Sequence, residues 1–203
     1  MSIYPLADLL LSAAHERHFP PDLGVEVAFA GRSNAGKSSA INALTGRRAL
    51  ARISNTPGRT RLLNFFQLKP GCRIVDLPGY GYAAASAAER ATWAPMTTAL
   101  ARRESLRGLF LIVDSRRGLL DGDEGLIAWA AEAGNPIHVL LTKTDKLKRA
   151  ELKLSLAAAH EALIGRATLQ AFSAVDGTGL DEARRQLDRW FKEKAPVATN
   201  WGG

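Results

Sequence analysis

Residues 25–44 read VEVAFAGRSNAGKSSAINAL, and the middle of this stretch, Gly31 to Ser38, matches the pattern G-x-x-x-x-G-K-[ST] in full. This is the pattern of a phosphate-binding loop. A strand-like apolar run precedes the loop and a helix-compatible run follows it. The pattern requires this context, because the N-terminus of the helix adds its dipole to the phosphate cradle. The stretch therefore predicts a strand, a loop and a helix that bind a nucleoside triphosphate.

Four loop residues have a predicted chemical role. Gly31 and Gly36 allow the tight turn that directs backbone N–H groups towards the β-phosphate. Lys37 reaches the β- and γ-phosphates, and the hydroxyl of Ser38 ligates Mg²⁺.

Apolar runs that alternate with helical patterns predict the remainder of the fold. Leu152, Leu156 and Leu163 repeat at near-helical spacing, whereas Lys69-Pro70-Gly71 indicates a tight turn between two strands. We predict an α/β domain with a mostly parallel six-stranded sheet, one antiparallel edge strand and helices on both faces. Besides the run before the loop, the predicted strands are residues 62–68, 72–75, 109–113, 137–141 and 168–172.

The chain has 203 residues, of which 46% are hydrophobic, and this fits one globular core. We expect residues 1–24 to form an N-terminal helix (about Pro5 to His18) and a connector, packed on the domain. Residues 25–194 are the predicted nucleotide-binding domain, and residues 195–203 are a predicted flexible tail.

Bulk composition limits location and partners. No apolar run reaches the roughly 18 residues of a membrane span, and the N-terminus lacks the pattern of a secretory signal. Cys72 is the only cysteine, so no internal disulfide is possible. We therefore expect a cytoplasmic protein without a membrane partner, and we expect a monomer.

A second motif, Asp76-Leu77-Pro78-Gly79, follows the predicted strand at residues 72–75. An Asp at such a strand end holds Mg²⁺, usually through water, and a glycine N–H in this position approaches the γ-phosphate. D-x-x-G alone is common by chance. Its place on a strand end, 40 residues after Gly36 of the loop, favours a nucleotide site.

A third motif, Thr142-Lys143-Thr144-Asp145, is a variant of the guanine-reading N-K-x-D signature. Guanine offers two donors on one edge, its ring N1–H and its amino group, and one carboxylate can accept both. Adenine offers no such pair. Taken alone, the motif could be a lysine-rich turn, but its order after the other two motifs favours base recognition. In Phe172-Ser173-Ala174, after the last strand, we expect the N–H of Ala174 to meet the guanine O6.

The segment between the first two motifs contains two candidate threonines. Thr56 and Thr60 both have the hydroxyl that would complete Mg²⁺ coordination when a γ-phosphate is present. Loss of that phosphate would release the segment, which is how such switches signal.

The net charge of +7 is concentrated in one stretch. Residues 27–75 contain no Asp or Glu and nine of the 27 Lys and Arg residues, which leaves 18 basic against 20 acidic residues elsewhere. An anionic ligand explains Lys37, but it does not explain Arg47, Arg48 and Arg52, which follow the first helix. Two interpretations remain open: a solvated loop, or a surface that contacts nucleic acid.

The motifs together resemble those of translation-factor-related GTPases, and within them the EngB/YsxC/YihA family of bacterial ribosome-biogenesis GTP-binding proteins. The resemblance spans almost the whole chain. Two strings are specific to this family rather than to GTPases at large: Thr56-Pro57-Gly58-Arg59-Thr60, and the Gly79-Tyr80-Gly81 that ends the second motif.

The resemblance implies a single Ras-like domain that binds GTP or GDP with Mg²⁺ and acts in late assembly of the large ribosomal subunit. Members are also described as needed for normal cell division and septation. It assigns the Mg²⁺ threonine to Thr60, so the expected metal ligands are Ser38, Thr60 and Asp76. The predicted nucleotide-binding residues are Gly31, Arg32, Ser33, Asn34, Ala35, Gly36, Lys37, Ser38, Ser39, Gly58, Arg59, Thr60, Arg61, Leu62, Asp76, Leu77, Pro78, Gly79, Thr142, Lys143, Thr144, Asp145, Phe172, Ser173 and Ala174.

Tyr80 stands where Ras-like enzymes often place a glutamine that orients the attacking water, so we predict slow GTP hydrolysis. In related GTPases an asparagine at the position of Asn34 helps to hold a monovalent cation. We therefore predict stimulation by K⁺, although Asn34 could instead merely tolerate a tight turn. The predicted catalytic residues are Lys37, Thr60, Gly79 and Asn34.

Two classes of function remain open. The first is an enzyme, a slow GTPase switch that controls ribosome assembly. The second is a GTP-sensing binding module for a cell-division protein, with incidental hydrolysis. A P-loop kinase or ATPase is disfavoured by Asp145. Steep salt dependence of binding to large subunits would indicate an rRNA target and so favour the first class.

Overall fold

The computed structural model describes residues 3–51, 62–80 and 95–193. The strands are β1 (Asp8–Ala13), β2 (Val25–Gly31), β3 (Leu63–Lys69), β4 (Cys72–Asp76), β5 (Leu106–Asp114), β6 (Ile137–Thr142) and β7 (Thr168–Ala171). The helices are α1 (Lys37–Thr45), α2 (described at 95–101), α3 (Asp121–Glu132), α4 (Arg149–Leu163) and α5 (Leu180–Lys192).

One sheet contains the seven strands in the order β1-β3-β4-β2-β5-β6-β7. Strands β4, β2, β5, β6 and β7 pair in parallel, whereas β3 is antiparallel to both of its neighbours, β1 and β4. The predicted mostly parallel sheet with an antiparallel edge region is confirmed, and the six predicted strands are all present. The predicted strand number was too low by one, because β1 adds a seventh strand outside β3.

The predicted N-terminal helix is wrong. Within Pro5 to His18 the chain forms β1 and a short 3₁₀ turn at Glu16–His18. A short apolar run fits a helix or a strand equally well by periodicity, and here the outer edge of β3 supplies the hydrogen-bond partners that make the segment a strand. The segment before β1 packs on α5, where the Tyr4 hydroxyl donates to Asp188 at 2.9 Å. The division of the chain at residues 24 and 194 stays a prediction.

Both faces of the sheet are covered, as predicted. On one face, α1 and α5 enclose a core that includes Phe29, Ile41, Phe110 and Trp190. On the other face, a second core contains residues of α2, α3 and α4. The two cores bury both faces of the parallel strands, which fixes the strand ends from which the loops project.

A buried ion cluster closes the end of the sheet at which β2 begins. The carboxylate of Glu26 is fully buried and accepts hydrogen bonds from Arg73 (Nε, 2.9 Å) and Arg103 (Nε, 2.6 Å). The same guanidinium groups donate to the carbonyls of Pro20, Pro21 and Leu23. The cluster therefore ties the connector that precedes β2 to β2 and β4.

Across the described ranges, no helix has both the length and the hydropathy needed to cross a membrane.

Candidate nucleotide-binding site

The phosphate-binding loop joins β2 to α1 as the sequence predicts. Gly36 adopts φ 103° immediately before α1, a conformation that side chains rarely tolerate. A Cβ on Gly31 would lie only 2.6 Å from the carbonyl oxygen of Ile112 on β5, so close strand packing requires glycine there. Asn34 also has a positive φ, 65°, which is uncommon for a residue other than glycine.

Lys37 and Asp76 meet directly beyond the loop. Asp76 ends β4, level with Phe29 of β2, and its carboxylate forms an ion pair with the Lys37 ammonium. Burial raises the pKa of Asp76, and the adjacent Lys37 ammonium opposes this rise. The two charged groups therefore lie side by side next to the phosphate-binding loop, in the space where the nucleotide phosphates are expected to bind.

The residues around this space fit Mg²⁺. Ser38 lies in the first turn of α1, next to Lys37, and supplies a hydroxyl, whereas Asp76 supplies a carboxylate. Oxygen ligands of this kind are those that Mg²⁺ prefers, usually together with waters and phosphate oxygens. Thr60, the third expected ligand, lies outside the described residues.

The D-x-x-G segment runs alongside the phosphate-binding loop. The N–H of Leu77 donates to the carbonyl of Phe29 at 2.9 Å, and the N–H of Ser33 donates to the carbonyl of Tyr80 at 2.9 Å. A Cβ on Gly79 would lie 2.8 Å from Oγ of Ser33 and 3.2 Å from its Cα. Glycine is therefore required for the close approach of the two segments.

The Tyr80 hydroxyl is hydrogen-bonded to α3 and not to the phosphate-binding loop. Its hydroxyl donates to the carboxylate of Asp123, in the first turn of α3, and the other oxygen of Asp123 accepts the N–H of Leu120 at 2.8 Å. Burial raises the pKa of Asp123 and that of Tyr80. The phenol hydroxyl is thus engaged by a structural partner.

The T-K-x-D segment holds the phosphate-binding loop from the opposite side. The Thr142 hydroxyl lies 2.5 Å from the carbonyl oxygen of Ala35. The Lys143 ammonium donates to the carbonyl of Asn34 at 2.5 Å. Thr144 donates to the carbonyl of Phe172 at 3.1 Å, which links this segment to the end of β7.

The Asp145 carboxylate contacts two side chains of the protein, one through each oxygen. Its Oδ1 accepts the Ser173 hydroxyl at 2.8 Å, and its Oδ2 lies 3.2 Å from the Lys146 ammonium. The hydrogen bond from Ser173 lowers the pKa of Asp145, so the carboxylate is ionised at neutral pH. Ser173 is fully buried, and its hydroxyl also accepts the N–H of Val175 at 3.1 Å. Ala174, whose N–H is expected to meet guanine, is exposed next to it.

The described members of the predicted site lie at the carboxyl ends of four parallel strands, where ligands bind in open α/β sheets. They come from β2 and its loop, from β4, from β6 and from β7, while Leu62 lies half-buried just before β3. The predicted contacts that lie outside the described residues are Gly58, Arg59, Thr60 and Arg61.

Sequence reasoning missed the groups that orient the base-reading segment. Ser173 is one of the predicted nucleotide-binding residues, but no role was assigned to its hydroxyl, which donates to Asp145 and orients it. Asp114, at the end of β5, was not predicted at all, although it accepts the Lys143 ammonium at 2.9 Å. Its position at a strand end on the ligand side of the sheet was the available signal.

The described basic residues of the stretch 27–75 differ in exposure and in their partners. Arg73 is buried on Glu26, and Lys37 lies in the site. Arg47 donates to the carbonyl of Pro5 at 3.0 Å, whereas Arg48 is exposed. Arg52, Arg59 and Arg61 lie outside the described residues. Arg48, close behind α1, is thus the most accessible described member.

Comparison with known proteins agrees with this geometry. The model of the 50S ribosome-binding GTPase family matches residues 26–143. A probable GTP-binding protein EngB of Yersinia enterocolitica is 46% identical over 197 residues, which are 95% of this chain and 91% of that protein. A protein of the same name from Salmonella typhimurium is 46% identical over 198 residues, 96% of this chain and 94% of that protein.

Solved structures show the same fold. A crystal structure of a probable GTP-binding protein engB has a TM-score of 0.65 and 24% identity, covering 84% of this chain and 100% of that one. Era, in complex with MgGDPNP and nucleotides 1506–1542 of 16S ribosomal RNA, has a TM-score of 0.65 and 22% identity, covering 86% of this chain and 59% of that one. With its ordered nucleotide motifs and its relatives at nearly full length, the chain belongs to the EngB family of GTP-binding proteins, within the 50S ribosome-binding P-loop GTPases.

Proposed function

We propose that this protein is a slow GTPase switch that acts in assembly of the large ribosomal subunit and is needed for normal cell division and septation. The observation that carries the proposal is the ionised Asp145, oriented by Ser173 at the same sheet edge as the phosphate-binding loop. A guanine nucleotide that spans the two segments would link them. The family match supports the large subunit as the partner.

The site residues have distinct roles in this reaction. Hydrolysis joins a water oxygen to the γ-phosphorus and breaks its bond to the oxygen that leaves with GDP. Lys37 exchanges its ion pair with Asp76 for the β- and γ-phosphates, and the N–H of Gly79 binds the γ-phosphate. Ser38, Asp76 and Thr60 would hold Mg²⁺, which neutralises charge on the same phosphates when it is bound. The Thr60 segment would then report the presence of the γ-phosphate.

The contact of Tyr80 with Asp123 supports slow hydrolysis. The phenol hydroxyl already donates to a buried carboxylate, so it is not free to orient a water. The residue that directly follows the D-x-x-G motif is Tyr80 and not a glutamine. Without a glutamine at this position, catalysis relies more on positioning and charge stabilisation, and an added cation would matter more.

We expect K⁺ to stimulate hydrolysis through Asn34, which lies exposed at the turn of the phosphate-binding loop. Turnover in potassium chloride should exceed turnover in sodium chloride by about tenfold, less than the roughly 10³-fold or more that an arginine finger supplies. Asn34→Ala should remove the difference between the two salts while retaining GDP binding. Equal wild-type rates in both salts would contradict this role.

We expect binding to large ribosomal subunits to require GTP and to involve rRNA. Sedimentation with purified large subunits should show more bound protein with a non-hydrolysable GTP analogue than with GDP. The bound fraction should fall steeply as the salt concentration rises from about 50 to 200 mM. Arg48→Ala should reduce the slope of log affinity against log salt by about one.

Arg102→Ala provides the matched control, because Arg102 is also exposed but follows α2, which packs on the face of the sheet opposite to α1. It should leave the salt slope unchanged. Salt-insensitive binding, or none, would contradict the rRNA contact and favour a protein partner such as a cell-division protein.

A further inference from the structure

The Asp114 carboxylate accepts hydrogen bonds from two neighbouring side chains at the carboxyl end of β5, where the nucleotide site lies. Its side chain, only 7% exposed, accepts two hydrogen bonds from the Arg116 guanidinium, at 2.9 and 2.6 Å, and one from the Lys143 ammonium at 2.9 Å. Burial alone would raise the pKa of Asp114, but the bonds from Arg116 and Lys143 outweigh it and hold the pKa well below its usual range. The carboxylate is therefore charged whenever the protein is folded near neutral pH.

Lys143 is fixed at both sides of its ammonium. One contact is the Asp114 carboxylate, and the other is the carbonyl of Asn34, at 2.5 Å. Its stem passes the phosphate-binding loop, since a Cβ on Gly36 would lie 3.8 Å from Cε of Lys143. A free lysine side chain samples many rotamers and loses this conformational entropy when it is fixed. Because Asp114 already holds the Lys143 ammonium before a ligand binds, part of this entropy is lost on folding and not on binding.

The contact with Asn34 connects Lys143 to the phosphate-binding loop. Asn34 holds a positive φ of 65°, which costs free energy in a residue with a side chain. The Lys143 ammonium binds the carbonyl of this strained residue, and the Thr142 hydroxyl binds the carbonyl of the next one, Ala35. The base-reading segment thus helps to hold the phosphate-binding loop in shape.

We infer that Asp114, itself held by Arg116, is a positioning residue for nucleotide binding: it fixes Lys143, so that the lysine stem lines the base side of the site and the ammonium holds the loop at Asn34. The contact lies away from the γ-phosphate, so GTP and GDP should be affected equally. The inference does not rest on the ribosomal role, because it concerns nucleotide affinity without ribosomes.

The test measures release of a fluorescent GDP analogue by stopped flow. Asp114→Asn should accelerate release by about 10- to 100-fold, the range for one lost charge-assisted hydrogen bond. Arg116→Ala should accelerate it by about threefold to tenfold, because Asp114 loses its bidentate partner but keeps Lys143. The affinities for GTP and GDP should fall by the same factor in each variant.

Arg117→Ala is the matched control, since it removes the same charge from the neighbouring exposed residue. Arg116 lies close enough to Asp145 for their charges to interact, so Arg117→Ala tests whether loss of one positive charge beside Arg116 is by itself enough to accelerate release. We expect Arg117→Ala to release GDP at the wild-type rate. Equal acceleration by Arg116→Ala and Arg117→Ala would overturn the inference.

A double-mutant cycle with Lys143→Met completes the test. If Asp114 acts through Lys143, the variant carrying both substitutions should release GDP no faster than Lys143→Met alone. Additive effects would overturn the inference, as would a fall in nucleotide-free melting temperature without a change in release rate. Should Asp114→Asn fail to fold, Arg116→Ala retains the test, because Arg116 is a surface residue with a side chain 47% exposed.

Discussion

Replacement of Asp145 by Asn is expected to lower the affinity for GTP by roughly 10⁴-fold, the penalty for leaving polar groups unpaired in a site built to bind them. The carboxylate can accept both the N1–H and the amino group of guanine. An amide offers one acceptor, and its NH₂ group opposes one of the two guanine donors. The Ser173 hydroxyl can still donate to the amide oxygen, so the fold around the site should remain.

The same substitution should improve binding of xanthosine triphosphate. Xanthine carries a carbonyl where guanine carries its amino group, and the Asn NH₂ group can donate to that carbonyl. Competition against a fluorescent guanine nucleotide measures both affinities. Asp181→Asn is the control, because Asp181 is exposed at the start of α5 and pairs only with Arg184 among its described contacts. An unchanged preference for GTP over xanthosine triphosphate would contradict the base-reading role of Asp145.

Replacement of Glu26 by Ala is expected to cost about 3–5 kcal/mol of the free energy of unfolding, as found when one member of a buried ion cluster is removed. Glu26 is fully buried, and the guanidinium groups of Arg73 and Arg103 bind both of its oxygens. The two arginine side chains are each only 9% exposed. Without the carboxylate, Arg73 would keep only backbone carbonyls among its described partners, and Arg103 would keep carbonyls and Asp22, which lies 3.7 Å away.

Urea unfolding of the wild type and of Glu26→Ala measures this cost. Glu104→Ala is the matched control, because Glu104 is an exposed acid in the same region, next to Arg103. It should change the free energy of unfolding by no more than about 0.5 kcal/mol. The GDP affinity of folded Glu26→Ala should equal that of the wild type, since the cluster lies at the other end of β2 from the phosphate-binding loop. A loss below about 1 kcal/mol would show that the cluster is not coupled to folding.

The N-terminal segment illustrates why part of the fold escaped sequence reasoning. The apolar residues of β1 fit a helical or an extended pattern over so short a span. The exposed edge of β3 resolves the ambiguity, because its hydrogen-bonding groups pair with the segment from Asp8 to Ala13. That edge is formed by residues about 50 positions later in the chain (Ser12 contacts Asn64, 52 positions away). No local preference encodes such a partner.

The nucleotide motifs, in contrast, could be read directly from the chain. The loop from Gly31 to Ser38 needs glycines at fixed positions and a helix start, and these requirements lie within eight consecutive residues. The D-x-x-G and T-K-x-D motifs are shorter still, with four residues each, and strand alternation places all three at one sheet edge. Local backbone requirements leave a local pattern, so the family and the guanine preference follow from residue order.

The partners that orient these motifs are decided by contacts between distant parts of the chain. Ser173 lies 28 positions from Asp145, Asp114 lies 29 from Lys143, and Arg103 lies 77 from Glu26. Each contact forms because neighbouring strands end, or begin, at a common edge of the sheet. Short sequence motifs thus determine which chemical groups the site contains. The orientation of these groups, and with it the expected affinity and stability, depends on side chains that only folding brings together.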